Sequence, residues 1–156
     1  MNTKEFILNV NRRNANTRKP QAMKFLRHKA LIEFTNTFTE SFVKGEITNY
    51  VILADAKKYL LQIPNNPFDL IDGEANAKIC SDFRVLCRKG LNIDGELIRL
   101  TAKSVSDNRV TYFNAQLGRE LIAKAKDKAT KEKYQKNLNK LIQLPNRDGY
   151  LPVVKP

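Results

Sequence analysis

Apolar and polar positions follow two rhythms along this chain. Phe25, Leu31, Phe34, Phe38 and Phe42 recur every three or four residues, with one longer step, the spacing that lines one side of an α-helix. Pro20 is a helix-start residue and Gly45 a natural stop, so the pattern predicts an amphipathic helix over residues 21–44. A second beat (Ile52, Ala56, Tyr59, Leu60, Ile63) follows Thr48, a capping residue, and ends at Pro64. The run Pro64-Asn65-Asn66-Pro67 is a turn-rich break. Asp72 then caps a third helix with Ile79, Cys80, Phe83, Leu86 and Cys87 on one side and Gly90 at its close.

The rhythm changes after Gly90. Residues 97–103 and 109–115 are rich in β-branched and aromatic side chains, and Ser104-Val105-Ser106-Asp107-Asn108 between them reads as a hairpin turn. After Gly118 the helical beat returns. Leu121, Ile122, Ala125, Leu138, Leu141 and Ile142 predict one helix over residues 119–143, solvated between Lys126 and Lys136. Pro145, Pro152 and Pro156 make the last twelve residues an extended tail. The expected fold class is α+β: mainly α with a β-hairpin. Its expected parts are a basic arm (1–19), a core (20–118), and a basic helix with a Pro-containing tail (119–156).

Charge sharpens this picture. The 156 residues carry 28 Lys and Arg against 16 Asp and Glu, a net charge of +12. Residues 1–29 hold eight basic residues and one acid, residues 119–156 ten and four, and residues 30–118 ten and eleven. Two strongly basic ends flank a nearly neutral middle. Such an excess points to a polyanionic partner, most often nucleic acid, although basic ends also serve solubility alone. Mean hydropathy is −0.48 and no apolar run approaches the roughly 20 residues of a membrane span, so no membrane association and a cytoplasmic location are expected. Cys80 and Cys87, two helical turns apart, are beyond disulfide reach and read as reduced core residues.

The order helix, helix, helix, hairpin, helix carries a resemblance. Gly45-Glu46-Ile47-Thr48 leads into a short helix ending near Leu61. A helix reading Ser81-Asp82-Phe83-Arg84-Val85-Leu86-Cys87-Arg88-Lys89-Gly90 and a basic hairpin follow. This resembles the winged helix-turn-helix. Residues 82–112 are similar to the helix, glycine, hairpin and aromatic layout of small winged-helix proteins from phages and mobile elements. The resemblance covers about residues 45–115. It departs from that pattern in its near-neutral middle and in the long connection 64–72.

The resemblance implies that helix 73–89 reads the major groove of double-stranded DNA and that the 97–115 hairpin is the wing. Lys78, Ser81, Val85, Arg88 and Lys89 fall on the helix face opposite Ile79, Phe83 and Leu86, with Arg84 on its flank. Arg and Lys serve guanine edges or phosphates, and Ser serves either. Glu74 lies on the same face and opposes phosphate; an ordinary solvated helix face would look alike. On the wing, Lys103, Asn108 and Arg109 are placed to grip backbone or minor groove, while charge on an exposed strand also discourages aggregation. In the arm, Arg12, Arg13, Arg18 and Lys19 resemble in kind the arms that reach around DNA. The Lys-rich last helix is read either as a source of phosphate contacts or, through Leu138, Leu141 and Ile142, as a homodimer seam.

Catalytic and cofactor signatures are missing. The chain has no Gly-rich phosphate loop and no zinc spacing, and its single histidine, His28, reads as a helix-surface residue between Arg27 and Lys29. Asp94-Gly95-Glu96 reads as a turn rather than a metal pair. No enzyme activity, cofactor or metal is expected. The sequence reading is a DNA-binding transcriptional regulator or replication-origin-binding factor. The alternative is a small phage or mobile-element protein that inhibits or recruits a host protein complex.

Overall fold

The computed structural model describes residues 20–52, 57–60, 68, 72–106 and 109–146; the side chains of residues 20–22 and 72–76 lie outside that description. The arm residues Arg12, Arg13, Arg18 and Lys19, the turn residue Asn108 and most of the second predicted helix therefore fall outside it, with only residues 57–60 of that helix seen as helical.

Helix α1 spans Pro20–Val43, one residue from the predicted bounds. It ends as its glycine dictates. Gly45 adopts φ 81°, its N–H donates to the Phe42 carbonyl and that of Glu46 donates to the Ser41 carbonyl, the reciprocal pairing of a left-handed helix cap. Thr35, Thr37 and Thr39 donate their hydroxyls back to the carbonyls four residues earlier. Helix α2 spans Asp72–Arg88, and Gly90 turns the chain out of it with φ 73°.

Two small antiparallel hairpins follow. Strands β1 (Leu91–Ile93) and β2 (Glu96–Ile98) pair across Asp94 (φ 51°) and Gly95 (φ 83°). Both turn residues have positive φ, as a two-residue hairpin loop of this twist requires. By sequence pattern Leu97 and Ile98 belong to the first strand of the expected wing. They instead pair backward with Leu91 and Asn92, because the Asp-Gly turn closes a local hairpin first. Strands β3 (Thr101–Ser106) and β4 (Arg109–Phe113) form the second hairpin, with a bulge between Ser104 and Ser106.

Both edges of this second hairpin are covered. Ile52 bridges Thr111 on β4, and the Thr111 hydroxyl donates to the Val51 carbonyl at 2.9 Å. On the other edge the Ser104 N–H donates to the Pro145 carbonyl at 2.7 Å, and Asn146 bridges Lys103. Paired edges remove the exposed amide row that invites aggregation.

The single helix predicted over 119–143 is two: α3 (Ala115–Lys124) and α4 (Lys128–Ile142). The break has a local cause. The Asp127 carboxylate accepts from the Thr130 N–H and hydroxyl, satisfying the first turn of a new helix. Asn114 caps α3 in the same way by accepting from the Leu117 N–H, and its own N–H and amide donate to Thr39 and Asn36 on α1.

Two apolar clusters share α1. The first joins Leu31 of α1 to Ile79, Phe83 and Leu86 of α2 and to the hairpins through Leu100 and Tyr112; the second joins Phe38 and Phe42 to Phe113 and to Leu141 of α4. Leu138 and Leu141 are fully buried within the chain. Two of the three residues of the expected homodimer seam are therefore already packed inside the chain, and Ile142 alone is exposed. No described helix is long and apolar enough to cross a membrane.

Candidate nucleic-acid interface

Helix α2 is fixed from three sides. Phe83 stacks on Tyr112 of β4, with centroids 4.0 Å apart and rings 6° from parallel. The Leu100 N–H donates to the Leu86 carbonyl at 3.2 Å. On the α1 side Asp82, only 3% exposed, accepts from Arg27 Nε at 2.7 Å and from His28 Nε2 at 3.2 Å. Burial alone would raise the Asp82 pKa. The hydrogen bonds from His28 and Arg27 and the Arg27 charge outweigh it and hold the carboxyl below its ordinary value. Because a carboxylate only accepts, His28 Nε2 carries the proton in this contact.

His28 is thus no surface residue: it is 4% exposed and tied to Asp82. The sequence held one pointer to this cluster. Asp82 falls three residues after Ile79, on the apolar side of α2, where an acid needs a buried partner.

The opposite face of α2 is open. Lys78, Ser81, Arg84, Arg88 and Lys89 are all exposed; stepping three, three and four residues from Lys78 to Arg88 keeps the first four on one stripe, and Lys89 follows just past the helix end. Among the described residues no acid is paired with Lys78, Arg84, Arg88 or Lys89. Arg88, in the last turn, also complements the helix dipole, a structural reason for a cation at that place. The acids that follow soonest in the chain, Asp94 and Glu96, are exposed at the β1–β2 turn. The Glu74 side chain lies outside the described residues.

The β3–β4 hairpin divides its expected contacts. Arg109 is exposed at the start of β4, opposite Ser106. Lys103 is half-buried and donates from Nζ to Asn146 Oδ1 at 2.7 Å, which ties one of its three N–H donors to the edge of the sheet. Sequence reasoning missed Asn146 because it lies 43 positions away.

Nothing described resembles a reaction centre. Among the described residues no three His, Cys, Asp or Glu side chains gather as a metal site. A void of about 10 Å³ between Phe34, Phe38, Ile52, Phe83 and Tyr112 holds at most one water. What the surface offers is exposed positive charge on a packed helix, without an acidic partner among the described residues. Comparison with protein-family models, curated proteins and solved structures finds no match for this chain.

Proposed function

We propose that this chain binds duplex DNA as a winged helix-turn-helix protein, a transcriptional regulator or replication-origin-binding factor. In this reading α2 lies in the major groove and the β3–β4 hairpin serves as the wing. The observation that carries it is the stripe Lys78, Ser81, Arg84 and Arg88, with Lys89 just beyond it, exposed on a helix whose other faces are locked to α1 and β4. Locking matters because base reading needs donors held in place before the ligand arrives. Element order adds support. The Ile52 bridge to Thr111 lies between α1 and the 57–60 helical turn and pairs with the second wing strand. Arg84 and Arg88 would read guanine edges, Ser81 either base or phosphate, and Lys78, Lys89 and Arg109 the backbone.

Binding to labelled duplex DNA, followed by fluorescence anisotropy, tests this. Affinity should fall steeply as salt rises. Arg84→Ala and Arg88→Ala should each weaken discrimination between preferred and scrambled sites, by about 1–3 kcal/mol where the contact is to a base. Affinity indifferent to salt, or unchanged in both variants, overturns the reading.

The near-neutral residues 30–118 favour a second reading, in which a host or phage protein is the partner. Capture from cells with and without nuclease separates the two. A nuclease-resistant partner retained by the Arg84→Ala/Arg88→Ala double variant supports the second.

A further inference from the structure

Helix α4 repeats, at the other end of α1, what α2 does near its start. Arg27, Leu31, Phe38 and Phe42 recur at steps of four, seven and four along α1, which is one stripe of its surface. Arg27 and Leu31 receive α2, through Asp82 and the first apolar cluster; Phe38 and Phe42 receive α4, through Leu141. The two helices therefore dock on one side of α1. Fifteen residues of helix separate Arg27 from Phe42, about 22 Å.

The inner face of α4 is closed. Leu138 presses against Gly118 of α3, and the Asn137 amide donates to the Val43 carbonyl at the end of α1. Its outer face is open and carries Lys136 and Lys140 beside Gln135, Asn139 and Gln143. Gln135 donates to Asn139 Oδ1 at 2.8 Å, which aligns the amide row with the lysine row. The one acid on this helix, Glu132, faces Lys128 at 4.0 Å, and Asp127 is engaged by Thr130. Lys136 and Lys140 have no acidic partner among the described residues.

The chemistry differs from that of α2. No arginine is present on α4, and an ammonium is a point charge without the fork that reads base edges. We infer that α4 is a sequence-independent phosphate clamp for the same duplex that α2 reads. With α1 lying along the duplex axis, the docking point of α4, about 22 Å from that of α2, corresponds to about six base pairs at roughly 3.4 Å per step. This rests on the DNA reading of α2 and adds a second, spatially separate contact to it.

The test compares two random-sequence labelled duplexes, one too short to reach both helices and one about six base pairs longer. For the wild type, the slope of log affinity against log salt should be steeper on the longer duplex. Lys136→Ala/Lys140→Ala should flatten that slope by about 1.8 on the longer duplex, two phosphates at roughly 0.9 each, and leave the shorter one unchanged. An unchanged slope on the longer duplex, or an equal loss on both, overturns the clamp. Arg84→Ala/Arg88→Ala is the companion measurement. Weakening on both duplexes keeps the α2 reading apart from the fate of the clamp. No weakening on either removes the α2 contact and, with it, the two-point placement. All four side chains are exposed, and unchanged thermal melting of the variants confirms the fold.

Discussion

Phe83 and Tyr112 lie face to face, 4.0 Å between ring centroids, and join the middle of α2 to the second strand of the β3–β4 hairpin. Phe83 is 1% exposed and Tyr112 5%, so this contact is internal and sets how the hairpin lies against the helix. In the DNA reading it also fixes the position of Arg109 relative to Arg84.

Phe83→Ala should therefore cost stability and geometry together. Emptying a site of this kind costs about 3–5 kcal/mol, a fall in Tm of roughly 6–20 °C for a domain of this size. Ser81→Ala, on the exposed face of the same helix, should stay within about 0.5 kcal/mol. A thermal melt of the two variants checks this. A Phe83→Ala protein melting beside the wild type would mean that the stack holds nothing in place.

Acid should loosen the contact between α1 and α2. Asp82 is held below its ordinary pKa in the folded chain, so its contribution is complete above the unfolded value of about 3.9 and is lost as pH falls through the lower, folded value. Urea melts from pH 7 down to pH 3 should show stability declining below about pH 4. Asp82→Asn should begin lower at pH 7, because Arg27 is then buried without its counter-charge, and should decline less with acid. Parallel pH profiles for the two proteins would contradict this.

The long helices were legible because their signals are local. Pro20 and Gly45 bound α1 to within a residue, and Asp72 and Gly90 did the same for α2. The exposed stripe of α2 was legible for the same reason, since helical spacing alone separates Arg84 and Arg88 from Phe83 and Leu86. The errors arose where short-range signals compete or where the partner is distant. Asp127 looks like one more solvated charge until its bond to Thr130 shows that it starts a helix. Leu97 and Ile98 suit either hairpin by propensity, and the tight Asp94-Gly95 turn decides between them. His28, Asp82 and Lys103 take their places from residues 43 to 55 positions away, a separation that no periodicity encodes.

The two thiols should differ sharply in reactivity. Cys87 is fully buried, and burial pushes its pKa up to about 12, leaving almost no thiolate at neutral pH. Cys80 is half-buried on the same helix. A chromogenic disulfide reagent at pH 8 should titrate one thiol in the native protein and a second only in urea. Mass spectrometry should place the native label on Cys80. Early labelling of Cys87 would mean that α2 opens readily from the core.

Gly118 is needed for closeness rather than for backbone freedom. A Cβ at this position would lie 2.7 Å from Leu138 Cδ1, nearer than carbon atoms tolerate, so the fully buried Leu138 would have to shift. Alanine is the better helix former by about 1 kcal/mol, but overpacking a closed contact costs roughly 1–3 kcal/mol. Gly118→Ala should therefore lower Tm despite its helix propensity, and Leu138→Ala alone should lower it by leaving a cavity. In the double variant the new methyl enters part of the space the leucine vacates, so its loss should be smaller than the sum of the single losses, a coupling that a double-mutant cycle reads directly. Strictly additive losses would show that α3 and α4 do not meet at this pair. The lysine face of α4 would then lack the support that keeps it on the same side of α1 as α2.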